Sequence, residues 1–493
     1  MINALIHPPQ GKKQLDAIHT FHSSLLAATL ATAFFLFLSL SGIAQAQTAT
    51  VNWTNVHQVI DGFGASDEAM SSSMSSGDQA FFFGTGSGQL GLSLLRTGVT
   101  NNDARYTPGD CTSVGSSCAG VYVSDMQAVI ANGGRVYASP WSPPAAFKTN
   151  GSVDCTAGSG SGQLASGDYA LYATWLANFV KSLSADGISL YAISLQNEPD
   201  QCTSYDSALW SASQIDTFIK TNMGPTFAGD GLSTLIFVPE GAGYSVTTSL
   251  GAACGTDSSC TNYVGGYVWH DYDASLSGTT VAATPYPSGW AGGKKYWQTE
   301  TSCGPGYGPN FCESGVNTDM TTDGLDWAAL IDQRISGDGA NAWLYWRLIG
   351  TGGSDDQGLT VSSGSDPAKR AYVLGQYAKF VRPGYYRIDA THLPQSGVSV
   401  SAYQNTGTNA LVIIATNYTG SSVSQTFNLT NAPTFSTLTP TITSSSLSLV
   451  AQSSVSVSGN SFTYTLPAQS ITTFVGSTLI PLPPTNLSST VVQ

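Results

Sequence analysis

Apolar and polar positions alternate in two different rhythms along this chain, and the change from one to the other divides it. From residue 62 to residue 346, short apolar runs recur at 62–64, 92–96, 135–139, 190–195, 234–238, 267–270, 295–299 and 342–346. Each is rich in β-branched or aromatic side chains and is bounded by Gly, Pro, Asn or Asp, so each predicts a short strand. The stretch 168–183 has the helical period instead. Leu171, Trp175, Leu176, Phe179, Val180 and Leu183 fall on one stripe, which predicts a helix lying on a sheet. A second helix is expected to start with Asp366 as N-cap and Pro367 in its first position, to run to Phe380, and to stop before Arg382-Pro383-Gly384. Eight such strand–helix cycles over roughly 310 residues predict an α/β fold, a (β/α)8 TIM barrel, whose chemical groups belong at the C-terminal ends of the strands.

After Gly384 the rhythm becomes strict alternation at 398–403, 410–416, 424–428 and 461–466 without intervening helices, which predicts an antiparallel β-sandwich. Residues 48–60 alternate in the same way and have no partner in the barrel, so they are expected to complete that sandwich. Ahead of them, Lys12 and Lys13 precede an apolar run, 25–40, and the small-residue site Ala44-Gln45-Ala46, the pattern of a cleavable export signal. The expected organisation is therefore a signal peptide over 1–46, N-terminal strands over 47–60, a barrel over 61–383, a β-sandwich over 384–477 and a linker-like tail over 478–493.

Charge narrows the partners. Only 10% of residues are charged, and the net charge of −14 leaves no basic surface for a phosphate backbone or an anionic membrane. Aromatic residues at 10% and a wealth of Ser, Thr, Asn and Gln suit a neutral ligand such as a carbohydrate. No nucleic acid, and no membrane once the signal is removed, is expected as a partner; a secreted monomer is. All eight cysteines follow the signal, an even count that reads as four disulfides in an exported chain. Their spacing favours Cys111 with Cys118, Cys254 with Cys260 and Cys303 with Cys312, leaving Cys155 for Cys202. Metal-ligand patterns are lacking, because there is no CxxC pair and no neighbouring histidine, so neither a metal nor a cofactor is expected.

Candidate chemistry rests on the chain's five glutamates, Glu68, Glu198, Glu240, Glu300 and Glu313. Glu198 stands where the fourth strand gives out, in Gln196-Asn-Glu-Pro199, and Glu300 where the seventh does, in Trp297-Gln-Thr-Glu300. Pro199 is expected to hold Glu198 in an extended conformation at the strand's mouth. A lone strand-end glutamate is ordinarily an ion-pair partner or a cap, but two at the same end of one barrel form a candidate catalytic pair. Glu240, after the fifth strand, reads as structural or supporting; Glu68 and Glu313 carry no assignment.

The chain resembles glycoside hydrolase family 30. The markers, in order, are Asp61-Gly-Phe-Gly64, Arg96, Ser139-Pro-Trp-Ser-Pro-Pro144, Gln196-Asn-Glu-Pro199, His270-Asp-Tyr272, Trp297-Gln-Thr-Glu300, Trp346 and Gly375-Gln-Tyr-Ala-Lys-Phe-Val-Arg-Pro-Gly384. The resemblance implies a barrel with a side β-sandwich built from both chain ends. It also implies a retaining mechanism with Glu198 as general acid/base and Glu300 as nucleophile, a pair that must stand about 5–5.5 Å apart. Glu198 would then hold its proton longer than a free glutamate, and Arg96 would keep Glu300 ionised. Asn197 is expected to bond the sugar 2-hydroxyl, Tyr272 to bond Glu300, and His270 to orient Glu300 or the sugar. Trp141 and Trp346 would floor the sugar subsite. The implied substrate is a polysaccharide cut by endo action, first of all β-1,4-xylan. The alternatives are β-1,6-glucan or galactan, glucosylceramide, or a non-catalytic carbohydrate-binding role. One departure concerns acidic branches: residues 301–333 contain no Lys or Arg, and Arg347 is the first cation after Trp346. The glycine pair common in the family stands here as Gly64-Ala65.

Overall fold

Eight parallel strands follow one another around a closed ring in the computed structural model, which describes residues 47–68, 70, 72–99, 122–304, 307–313, 316–350, 356–362 and 367–477. In order they are Gly62–Ser66, Leu94–Val99, Arg135–Pro140, Leu190–Ser194, Leu235–Gly241, Val264–His270, Lys295–Glu300 and Ala342–Ile349. The eighth strand pairs with the seventh and also with the first, Ala342 lying opposite both Trp297 and Gly62, and this closes the barrel. Gly64 allows the first two strands to meet. A Cβ there would stand 2.1 Å from the Leu94 carbonyl oxygen, far inside van der Waals contact.

Alternate strand residues point inward and fill the ring with Leu94, Tyr137, Ala192, Phe237, Val268, Trp297, Ala342 and Leu344. Such a filled interior leaves only the strand ends for chemistry. The N-terminal end is sealed by Asp61, which accepts from Trp297 Nε1 at 2.9 Å and pairs with Lys295 and Arg135 at 2.8 and 3.1 Å. Function is thereby confined to the opposite rim.

The helix expected at 168–183 spans Tyr169–Ala185. Its buried stripe includes Trp175, Leu176, Phe179, Val180 and Leu183, but Leu171 is 53% exposed and Tyr172 takes the inward place. Tyr172 has what leucine lacks: its hydroxyl donates to the Leu195 carbonyl at 3.0 Å while its ring stacks on Trp175 and Phe218. The later helix runs Lys369–Ala378 with Ala368 at the cap position, two residues shorter at each end than expected, and Asp366 lies outside the described residues. This helix fastens barrel to β domain, because Thr473 Oγ1 donates to the Gln376 carbonyl and Lys369 Nζ to the Leu447 carbonyl, each at 3.0 Å.

The β domain is one ten-stranded sheet bent over its own core, with Val51, Ile388, Val400, Ile413, Phe427, Phe462 and Phe474 inside. Thr48–Val59 enters it as expected, antiparallel to Tyr386–Ala390. Its other edge pairs parallel with Val423–Thr430, so the sheet is mixed where strict alternation suggested antiparallel pairing throughout. A strand arriving from the far end of the chain needs no hairpin, and either direction can satisfy its backbone groups.

Among the described residues, three disulfides join Cys155 to Cys202, Cys254 to Cys260 and Cys303 to Cys312, as expected. Cys111 and Cys118 lie outside the described residues, as do the export-signal region and the tail. Among the described residues, no helix is long and apolar enough to cross a membrane.

Candidate active site

At the C-terminal rim of the barrel a cleft of about 720 Å³ is lined by Glu198, Glu300, Asn197, Trp141, Tyr272 and Trp346, among others. The strand ends deliver these side chains from different parts of the sequence. One carboxylate oxygen of Glu198 and one of Glu300 lie within 4.8 Å of each other and of a ring nitrogen of His270. A pair at this distance leaves room for one sugar carbon between its members but not for an extra water.

Each carboxylate is held by its own partners. Arg96 Nη1 donates to Glu300 Oε2, and the Tyr272 hydroxyl donates to Glu300 Oε1 at 2.7 Å. Arg96 also reaches Asn197 Oδ1 at 2.6 Å and lies over the Trp141 ring, 4.7 Å from its centroid. Asn197 thus keeps its Nδ2 for a ligand. The Trp141 and Trp346 rings are 5.8 Å apart, and the two indoles wall one side of the cleft.

His270 is fully buried between the two carboxylates. Its Nδ1 lies 2.9 Å from Glu198 Oε1 and 3.7 Å from Glu300 Oε1, so the hydrogen bond goes to Glu198 and an ion-pair contact to Glu300. The sixth strand pairs with the seventh, where His270 stands opposite Glu300, yet the ring reaches across to Glu198 as its hydrogen-bond partner.

Glu198 does not adopt the extended conformation that Pro199 favours. Its φ is 43°, in the left-handed region. Neighbouring backbone overrides the local preference: Glu198 N–H donates to the Glu240 carbonyl at 3.0 Å, and Gln201 N–H to the Glu198 carbonyl at 2.9 Å. Strain of about 1–3 kcal/mol of this kind is held by surrounding contacts and turns the carboxylate into the cleft.

Glu240 is the residue whose importance the sequence understates. Fully buried, it accepts from Tyr137 at 2.6 Å, from Ser139 at 2.8 and 3.0 Å, and from Ser194. It also pairs with Arg96 at 3.3 Å and faces His270 Nε2 at 3.6 Å, the latter an ion-pair contact longer than a hydrogen bond. Its place at the end of the fifth strand was the available signal, since Glu198 and Glu300 were found by that same criterion. Tyr205, Asp206, Gln201 and Glu68 also line the cleft, on loops that no periodicity marks.

The electrostatics follow from this packing. Burial favours a neutral Glu240, yet Arg96 and His270 outweigh it and hold the carboxyl down to about 2. Burial likewise disfavours a charged His270, but Glu300, Glu198 and Glu240 push it up to about 10, so the ring is an imidazolium at neutral pH. Arg96 is raised above its ordinary value, Glu240 and Glu300 overcoming burial. Glu300 is pushed up by burial and by Glu198, against the pull of His270, Arg96 and Tyr272. Glu198, His270 and Glu300 are close enough to clasp a metal ion, but His270 Nδ1 is engaged with Glu198, and Arg96 and His270 already supply the positive charge.

Comparison with known proteins gives the following likenesses. Residues 121–288 match the glycosyl hydrolase family 30 TIM-barrel domain. The chain is 32% identical over 441 residues to glucuronoxylanase XynC of Bacillus subtilis, covering 88% of this chain and 92% of that one. It superposes on the family 30 subfamily 8 xylanase Xyn30A of Clostridium acetobutylicum with TM-score 0.71 and 32% identity, covering 87% of this chain and all of that one. On the family 30 endoxylanase of Clostridium papyrosolvens the TM-score is 0.69 and the identity 31%, again over 87% of this chain and 100% of the other.

Proposed function

Because the chain belongs to glycosyl hydrolase family 30 and is a glycoside hydrolase, we propose that it is a secreted, retaining endo-β-xylanase. The observation that carries the mechanism is the approach of Glu198 and Glu300 to within 4.8 Å, a spacing suited to direct attack on the anomeric carbon. In the first step Glu198 gives its proton to the glycosidic oxygen as the bond to the anomeric carbon breaks, and a Glu300 oxygen bonds to that carbon. In the second, water attacks the same carbon, surrenders a proton to Glu198, and releases Glu300 as carboxylate.

Charge balance supports these roles. Arg96 and His270 as cations offset the Glu240 carboxylate and the one negative charge that the double displacement requires of Glu198 and Glu300 together. Once Glu300 is esterified and Glu198 ionised, the cluster is again neutral. His270, 2.9 Å from one carboxylate and 3.7 Å from the other, faces whichever of them is charged. A preorganised dipolar environment of this kind need not rearrange as charge moves between the two.

Xylan is favoured by the relatives above, and the lining of the cleft refines the choice. Glu68, Glu198, Asp206 and Glu300 line it, no Lys or Arg does among the described residues, and Arg347 is buried outside it. A glucuronate branch would enter a negative field, so neutral stretches of xylan are the proposed substrate, in contrast to the glucuronoxylanase relative. The export signal read at 1–46 and the disulfides support secretion.

The test is reducing-sugar release from unsubstituted xylan, glucuronoxylan, β-1,6-glucan and β-1,6-galactan, with Glu198→Gln and Glu300→Gln as controls. NMR of the first-formed anomer reads the stereochemistry. Cleavage of neutral xylan with the β-anomer appearing first is expected. An α-anomer would refute retention, and binding without turnover, unchanged by Glu300→Gln, would favour a non-catalytic carbohydrate-binding protein.

A further inference from the structure

A lysine outside the cleft ties together the loops that build one of its walls. Lys148, 5% exposed, lies on the loop after the third barrel strand. Its ammonium donates to Ser142 Oγ at 3.1 Å, to the Val153 carbonyl at 2.6 Å and to the Ser207 carbonyl at 2.6 Å. These acceptors belong to different segments: Ser142 adjoins Trp141, Val153 lies in the loop 149–165, and Ser207 closes the segment that leaves Glu198. The last two segments are joined again by the Cys155–Cys202 disulfide and by Ser207 N–H donating to the Val153 carbonyl at 3.2 Å. Asp154 and Asp206 add attraction for the ammonium, which burial draws down to about 8.

What the clasp holds is Tyr205. This tyrosine lines the cleft yet is 54% exposed, and its own segment has no helix or regular strand to fix it. The ring is near enough to the catalytic pair that, after burial, Glu198 and then Glu300 push its hydroxyl up. On the mechanism proposed above, Glu198 protonates the oxygen of the departing sugar, so the wall that continues from Glu198 faces that sugar.

We propose that Lys148, together with the Cys155–Cys202 disulfide, is a positioning residue that fixes Tyr205 as an aromatic platform for the sugar on the leaving-group side of the cleft. An exposed ring on a loop would otherwise lose much of its contact energy to ordering on binding, and a clasp formed in the free protein removes that cost. The inference rests on the glycosidase reading and adds a specificity site to it.

The experiment uses the full secreted enzyme and the glycan that the wild type cleaves. Lys148→Met, Cys155→Ser with Cys202→Ser, and Tyr205→Ala are compared on two substrates, an oligosaccharide and an aryl β-glycoside whose leaving group is a phenol. For the oligosaccharide, KM is expected to rise about tenfold in each variant, with kcat of Lys148→Met within about twofold. For the aryl glycoside, which places no sugar against Tyr205, Lys148→Met should match the wild type. Equal losses on both substrates, or an unchanged oligosaccharide KM in Tyr205→Ala, would overturn the inference. Tyr205 is at the surface, so that variant decides even where Lys148→Met does not fold. A wild type silent on every glycan would instead refute the glycosidase reading itself.

Discussion

Replacing Glu240 with glutamine tests the electrostatic design of the site, because it removes one buried charge and almost no volume. The carboxylate stands 3.3 Å from Arg96 and 3.6 Å from His270, all three fully buried. At an effective dielectric near 20, these separations correspond to attractions of about 5 and about 4.6 kcal/mol. The second figure amounts to more than about a thousandfold in the protonation equilibrium of the histidine. His270, held at about 10 in the wild type by Glu300, Glu198 and Glu240 together, is therefore expected to titrate at distinctly lower pH in Glu240→Gln. Above that point the imidazolium facing Glu198 and Glu300 is lost. Maximal kcat should fall by ~10²-fold, the scale for losing one preorganised charge-stabilising group. The alkaline limb of the pH–rate profile should also move to lower pH, so that activity is better retained at pH 5 than at pH 8. Removing one partner of a buried ion pair typically costs about 3–5 kcal/mol, and denaturant unfolding should register a loss toward the low end, since glutamine still accepts hydrogen bonds. The measurement is kcat across pH on the preferred glycan for both proteins. A Glu240→Gln enzyme with the wild-type alkaline limb and undiminished kcat would refute the claim that Glu240 sets the charge state of the site.

The same charges predict how stability follows pH. His270 is raised from 6.5 to about 10, so its contribution is complete below about 6.5 and is lost as pH rises through 10; urea midpoints should decline over that window, and less steeply in His270→Gln. Glu240 is lowered from 4.5 to about 2, so its contribution is present above 4.5 and lost as pH falls toward 2, which the acid side of the same titration reads. Gly64→Ala should fail to express as folded protein or lose about 3 kcal/mol or more, since a Cβ would meet the Leu94 carbonyl oxygen at 2.1 Å; a wild-type Tm would contradict the tight closure described. Opening the Cys155–Cys202 loop, with its separation of 47 residues, should cost about 4 kcal/mol by chain entropy, measurable by unfolding of the double serine variant.

The amino-acid sequence by itself determined the elements and the location of the chemistry. Period-two and period-3.6 patterning act over a few residues, and that was enough to place eight strands, the helix at Tyr169–Ala185 and the switch to a β domain. Strand-end glutamates were visible for the same local reason, and the short cysteine spacings indicated the loops they close. The tertiary structure alone decided which charges face which. Arg96 and Glu300 are 204 positions apart, and their contact exists only because the second and seventh strands end at one rim. It also decided that His270 bonds Glu198, that Glu240 balances both cations, that Tyr172 displaces Leu171 from the helix stripe, and that Glu198 takes a left-handed φ against the preference set by Pro199. The reason is one of range. Steric and hydrophobic preferences are properties of neighbouring residues, whereas a buried charge or hydroxyl is settled by whatever donor or counter-charge the closed barrel brings within about 4 Å, where the Coulomb energy is several kcal/mol.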